Sequence, residues 1–355
     1  MEERNQTTAL LQLMPQPAFL VEKGVISYVN AAAAPYFLQA GQDVTALIRC
    51  GAEEYAAFSQ GSLYLTLSVC DQAVGACVTR LENADIFTLD QVEELPQLQA
   101  MALAAAQLRE PLTGLMSLTD QMLPAIAAES GPLQTQAAQW NRRLYQMLRI
   151  VSNMSDAVTY SQVQPVSLDA VEICSFLDEI LQKAAALAPS AGITLEYSLP
   201  REVIFTLVDT ERLERAIYNL LSNAIKFASP GSAVRAALVC KHQRLHISVT
   251  NDHPGPQGNL FSRFLREPAL EDPRNGIGLG MVLVKSTAAQ HGGSVLVDRV
   301  EAGTRVTLTL PVRQAEISNV RSPILRIDYA GERDHSLMEL SDVLPAEAYS
   351  VDQIN

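Results

Sequence analysis

The chain has 355 residues, of which 48% are hydrophobic and 18% charged, and a formal net charge of −13. That length and balance indicate two or three globular domains with cores of their own and exclude a disordered chain. The acidic excess, with no polybasic run, argues against nucleic acid or an anionic lipid surface as a partner.

The five cysteines (Cys50, Cys70, Cys77, Cys174 and Cys240) form no CxxC pair and read as free thiols of a reducing compartment. The N-terminus MEERNQTTALLQLMPQ is polar and acidic, unlike a secretory signal. No apolar run approaches the ~20 residues of a membrane-spanning helix. A cytoplasmic protein without membrane insertion is expected.

Residues 10–90 read as mixed α/β. PAFLVEKGVISYVN is two strands about a Lys23-Gly24 turn, and SLYLTLSV and GACVTRLEN are further strands. AAAAPYFLQAG predicts a short helix ending at Gly41. Strand, turn, strand, Asn30, helix and then antiparallel strands resembles a PAS sensor domain. No flavin cysteine motif is present, and the first 240 residues contain no histidine.

Residues 98–162 carry two long helical patterns separated by AAESGPLQ. Met101, Ala105, Leu108, Leu112, Leu115, Thr119 and Met122 alternate spacings of four and three, as do Trp140, Leu144, Met147, Val151, Met154 and Val158. This is the heptad seam of helices crossing at about 20°. One hairpin cannot cover two such seams, so a homodimeric four-helix bundle is expected, broken by a charge at Leu115 or Val151. After a polar linker around Pro165, helices alternate with hairpin-borne strands, the pattern of an α/β two-layer sandwich. The last forty residues contain one strand-like run, SPILRIDYAG, and an acidic stretch.

Three motifs of this region converge. YNLLSNAIKF sets Asn219, Asn223 and Lys226 on one helix face, with Phe227 beside them. Two carboxamide oxygens suit a hydrated hard cation such as Mg²⁺, and Lys226 suits phosphate. NGIGLGM places Gly276, Gly278 and Gly280 before a helix, where backbone N–H groups can approach an anion. Singly these are weak signals. In this order they resemble the ATP-binding domain of sensor histidine kinases, of the GHKL ATPases, over residues 165–312. The match includes DTERLERAIYNLLSNAIKF, FSRFLRE, NGIGLGMVLVK, QHGGSV and GTRVTLTLP. The resemblance implies Mg²⁺ near Asn219 and Asn223, phosphates near Lys226, adenine near Phe227, and an ATP lid shaped by Gly276, Gly278 and Gly280.

One motif departs from the family. Where the family has Asp-x-Gly-x-Gly, with the Asp accepting from the adenine amino group, this sequence has Asn251, His253 and Gly255, with Asp252 one residue late. Asn251 keeps an acceptor oxygen, whereas His253 puts a side chain where close backbone approach is wanted.

A second departure lies in the first hairpin helix. The family's His-Glu-Leu-Arg-Thr-Pro-Leu aligns with Ala106-Gln107-Leu108-Arg109-Glu110-Pro111-Leu112. The resemblance makes Ala106 the missing phospho-acceptor, since a methyl group cannot take a phosphoryl group. Gln107 replaces the assisting acid, and Glu110 the residue that positions water for phosphatase action. His242, His246, His253, His291 and His335 all lie outside the hairpin.

The expectation is a PAS-like sensor at 1–97, a dimerisation hairpin at 98–164, an ATP-binding domain at 165–315 and an extension of unassigned role at 316–355. The implied protein is a two-component pseudokinase that binds Mg–ATP without autophosphorylation. It would regulate a response regulator or an intact histidine kinase. The second reading is an active GHKL ATPase, or a kinase acting on a partner's residue.

Overall fold

The computed structural model describes residues 2–90, 95–127, 132–161, 167–253, 279–301, 303–313 and 333–350. A helix, α1 (Glu2–Leu13), precedes β1 (Ala18–Glu22) and β2 (Val25–Val29). Lys23 and Gly24 turn the hairpin with φ of 52° and 80°, the left-handed pair that matches strand twist. Asn30 then ties the entry together. Its Oδ1 accepts from the Ala18 and Ala33 amides, and its Nδ2 donates to the carbonyls of Leu11, Met14 and Gln16. The helix expected to reach Gly41 is instead a 3-10 turn, Ala31–Tyr36. Pro35 removes an amide donor, and Phe37 at φ 52° closes the turn.

After β3 (Ile48–Cys50) and α2 (Ala52–Ala57) come β4 (Ser62–Val69), β5 (Gln72–Arg80) and β6 (Asp85–Leu89). Antiparallel pairing gives the order β2-β1-β6-β5-β4. Phe19 and Phe87 stack inside at 4.8 Å between centroids, with Tyr55 tilted against Phe87.

Two long helices follow, α3 (Leu95–Ala127), which continues through Pro111, and α4 (Pro132–Ser161). Each heptad seam divides in two. Ala105, Leu112 and Thr119 of α3 and Leu144 and Val151 of α4 are buried within the chain. Leu108, Leu115 and Met122 of α3 and Trp140 and Met147 of α4 are exposed. One heptad position thus packs the hairpin and the other faces outward. Val151 belongs to the inner half, so a charge there would break the hairpin itself, contrary to the expectation that it probes only the dimer seam.

The remainder is an α/β sandwich. β7 (Asp169–Glu172) leads into α5 (Ile173–Leu187), β8 (Thr194–Ser198), β9 (Phe205–Val208), α6 (Thr210–Phe227), β10 (Ala233–Lys241) and β11 (Arg244–Asn251). Then follow α7 (Gly280–Gln290), β12 (Ser294–Val300), β13 (Gly303–Pro311) and a short α8 (His335–Glu339). The order β12-β13-β11-β10-β8 mixes antiparallel pairs with one parallel pair, β8 with β10. The strand-like SPILRIDYAG lies outside the described residues.

The two sheets join. Edge strand β4 pairs with β12 through Tyr64–Val295, Leu63–Leu296 and Ser62–Val297, making one eleven-stranded sheet among the described residues. Gly61 permits this, because a Cβ there would stand 2.1 Å from the Val297 carbonyl oxygen. Lys285 of α7, 4% exposed, pairs with the more exposed Asp90 at 2.6 Å and lies over the Tyr64 ring, so the junction carries an ion pair as well. No described helix is long and apolar enough to cross a membrane.

Candidate functional site

The site is built on α6 and the end of β11. Asp209 caps α6 by accepting from the Arg212 amide at 3.1 Å, a contact worth about 1 kcal/mol. Leu213, Ala216, Ile217, Leu220, Leu221 and Ala224 bury the helix's apolar face. The register of that face fixes where the polar residues emerge. Asn219 is 2% exposed, while Asn223, Lys226 and Phe227 are half-buried further along the same helix.

β11 alternates half-buried and buried positions to its end, so the period of two turns Asn251 inward with Leu245, Ile247 and Val249. Its Nδ2 donates to the Ala224 carbonyl of α6 at 3.2 Å. Its Oδ1 is buried and has no partner among the described residues. An orphaned buried acceptor costs about 1–3 kcal/mol unless a donor meets it. Asp252 does not compete for that role, because its carboxylate accepts the Ser229 amide at 2.9 Å and that bond lowers its pKa. His253 is exposed, with its ring 6.2 Å from that of Phe227.

Gly280 opens α7 against the same place. A Cβ at Gly280 would stand 2.7 Å from Asn219 Oδ1, so the glycine makes room for the carboxamide beside the start of α7. Gly255, Gly276 and Gly278 lie outside the described residues. Ala106, Gln107 and Glu110 are all exposed on α3. Asn219, Asn223, Lys226, Phe227, Asn251 and Gly280 therefore gather around α6, an unsatisfied acceptor among them. That set, with the unpartnered Asn251 oxygen, two carboxamides on one helix and a lysine beside them, fits a magnesium-bound adenine nucleotide.

Several charged residues escaped the sequence reading. Arg149 of α4 lies with its Nη2 3.3 Å from Asn219 Oδ1. Arg215, fully buried one turn before Asn219, pairs with Glu339 of α8 at 3.0 Å and with Asp156. The only local signal was an arginine four residues before Asn219 on a buried face. Its partner stands 124 positions away, where periodicity says nothing.

Residues 208–314 match the family described as histidine kinase-, DNA gyrase B- and HSP90-like ATPase. The sensor protein KdpD of Escherichia coli (strain K12) is 28% identical over 230 residues, covering 62% of this chain and 25% of KdpD. The sensor histidine kinase MtrB of Mycolicibacterium paratuberculosis is 30% identical over 241 residues, 63% of this chain and 41% of MtrB. The full-length structure of ShkA in complex with AMPPNP aligns with a TM-score of 0.49 at 21% identity, covering 61% of this chain and 46% of ShkA. Over much of its length this chain is similar to sensor histidine kinases, and its C-terminal sandwich is an ATP-binding domain of the GHKL type. It spans less than half the length of KdpD or MtrB.

Proposed function

We propose that the protein is a signalling pseudokinase of the two-component type, which binds Mg–ATP and does not phosphorylate itself. The observation that carries the first half is Asn251, whose buried Oδ1 awaits a donor of the kind an adenine amino group offers. Asn219 and Asn223 would hold Mg²⁺, Lys226 the phosphates and Phe227 the purine face, with Gly255, Gly276, Gly278 and Gly280 shaping the lid. The second half rests on Ala106. No imidazole stands on α3 or α4, Gln107 cannot act as a carboxylate base, and Glu110 would repel an aspartyl phosphate.

The role of residues 1–97 as a PAS-like sensor is supported by the strand order β2-β1-β6-β5-β4 and by the Asn30 exit from β2. Homodimerisation through residues 98–164 is supported by the outward half-seam of Leu108, Leu115, Met122, Trp140 and Met147. Five cysteines, none of them in a disulfide, support a cytoplasmic setting. A response regulator or an intact histidine kinase is the partner that such a scaffold would regulate.

Thermal melting in millimolar Mg–ATP tests the nucleotide reading. The melting temperature should rise by mass action and should not rise in Asn223→Ala or Lys226→Ala. A chain indifferent to nucleotide would make the site a structural remnant.

A further inference from the structure

Residues 333–350 are packed where no motif announced a role. Leu337, Met338, Leu340, Leu344, Ala348 and Tyr349 are buried, and Glu339 is wholly so. The segment lies against α4. The Tyr349 ring meets Tyr145 at 5.3 Å, Asn141 donates to the Tyr349 carbonyl, and Gln146 donates to the Ser341 carbonyl at 3.0 Å. This face of α4 is separate from the outward half-seam of Trp140 and Met147, so the segment and a second protomer do not contend for it.

The polar centre of that contact reaches the candidate site. Glu339 stands between two guanidiniums, with Oε1 3.0 Å from Arg215 Nε and Oε2 3.3 Å from Arg149 Nε. The second is an ion pair without the alignment of a hydrogen bond. Asp342 grips Arg149 Nη1 at 2.6 Å. Arg149 Nη2 is thereby left against Asn219 Oδ1 at 3.3 Å, and Asn219 Nδ2 is tied to the Arg215 carbonyl at 2.8 Å. Both ends of the Asn219 carboxamide are occupied by groups that this cluster holds in place.

We propose that residues 333–350 are a releasable clasp that parks Arg149 on Asn219, so that the clasp and a nucleotide-bound Mg²⁺ compete for the Asn219 oxygen. A guanidinium and a divalent cation cannot share one carboxamide oxygen, because their like charges repel at such range. The clasp is built to let go. Its elements are a five-residue helix and a four-residue 3-10 turn, Ala346–Tyr349, neither of which holds its shape without the surface beneath it. The ion cluster draws on α4, α6 and the clasp together, so loosening one apolar anchor loosens the whole. The inference rests on the reading of the α6 site as one for Mg–nucleotide.

Calorimetric titration of the full chain with Mg–ATP, and with ATP in chelator, tests it. Leu344→Asp should dislodge the clasp and tighten Mg–ATP about tenfold, as expected where the closed form holds nine molecules in ten. ATP without Mg²⁺ should gain much less. Asp342→Asn, at a side chain 22% exposed, should move the same way and serves if Leu344→Asp does not fold. In the unmodified chain, Mg–ATP should speed hydrogen exchange at the amides of 337–344. Equal or weaker Mg–ATP binding in the variants, with exchange unchanged, would overturn the clasp and leave the nucleotide reading standing. No binding in any of the chains would overturn both.

Discussion

The Arg149 guanidinium and the Asn219 carboxamide meet from positions seventy residues apart, Nη2 to Oδ1 at 3.3 Å. The contact joins the helical hairpin to the nucleotide-type site, and Glu339 and Asp342 hold the arginine in it from the far end of the chain.

A buried ion pair broken in a rigid core costs about 3–5 kcal/mol. A clasp closed nine times in ten can be lost for about 1.4 kcal/mol, because opening it wets both guanidiniums. Glu339→Ala should therefore lower stability by the smaller amount. Urea unfolding decides between them, and a loss above 3 kcal/mol would mean the segment is part of the fixed core.

Asn251 should set base choice. Its free Oδ1 can accept from the amino group of adenine, whereas guanine presents a carbonyl at that place and leaves the acceptor unmet. ATP should bind more tightly than GTP, and Asn251→Ala should narrow the difference about 5- to 10-fold in competition binding. An unchanged preference in the variant would remove Asn251 from base recognition.

Leu115 and Trp140 are 43% and 52% exposed on the outward half-seam. Glutamate at either should dissociate the homodimer, since an unpaired charge in an apolar interface costs several kcal/mol. Helicity should be retained, because the inner half-seam is untouched. Light scattering that finds the unmodified chain monomeric would contradict the bundle.

His291 links stability to pH. It is 2% exposed, its Nε2 accepts the Asp209 amide at 2.9 Å, and its Nδ1 faces the Thr287 carbonyl at 2.7 Å. Those partners assign the proton to Nδ1 and leave Nε2 bare. Burial lowers the pKa below the ordinary 6.5. The unfolded chain then takes up its proton first as pH falls. The contribution is fully present above about pH 6.5 and is lost as pH drops towards the folded value, by up to about 1.4 kcal/mol per pH unit. His246, lowered chiefly by burial too, adds to the trend. His291→Gln should flatten the stability profile below pH 6.5, measured by denaturant unfolding at several pH values, and an unaltered slope would show that His291 is protonated when folded.

Local periodicity carried much of the fold. SLYLTLSV is β4 to the residue, and the alternation of β11 placed Asn251 indoors. The same rules passed over α1, where buried Leu11 stands between exposed Leu10 and Leu13 with no apolar periodicity around it. They also gave the heptad seams without dividing them, since spacing cannot say which half faces inward. The site was legible where its residues share one helix, as Asn219, Asn223 and Lys226 do. Arg149, Glu339 and Lys285 were not, because each acquires its meaning from a partner over sixty positions away.

Nucleotide binding without self-phosphorylation is read out with γ-labelled ATP. The full chain, saturated with nucleotide as judged by the thermal shift, is assayed for acid-labile incorporation of label. Ala106→His alone and Ala106→His with Gln107→Glu run alongside. General-base assistance is worth roughly 10²–10⁴-fold, so the double variant should label visibly better than the single one. The unmodified chain should bind nucleotide and remain unlabelled. Robust labelling of the unmodified chain would make it an active kinase and place an acceptor elsewhere than Ala106.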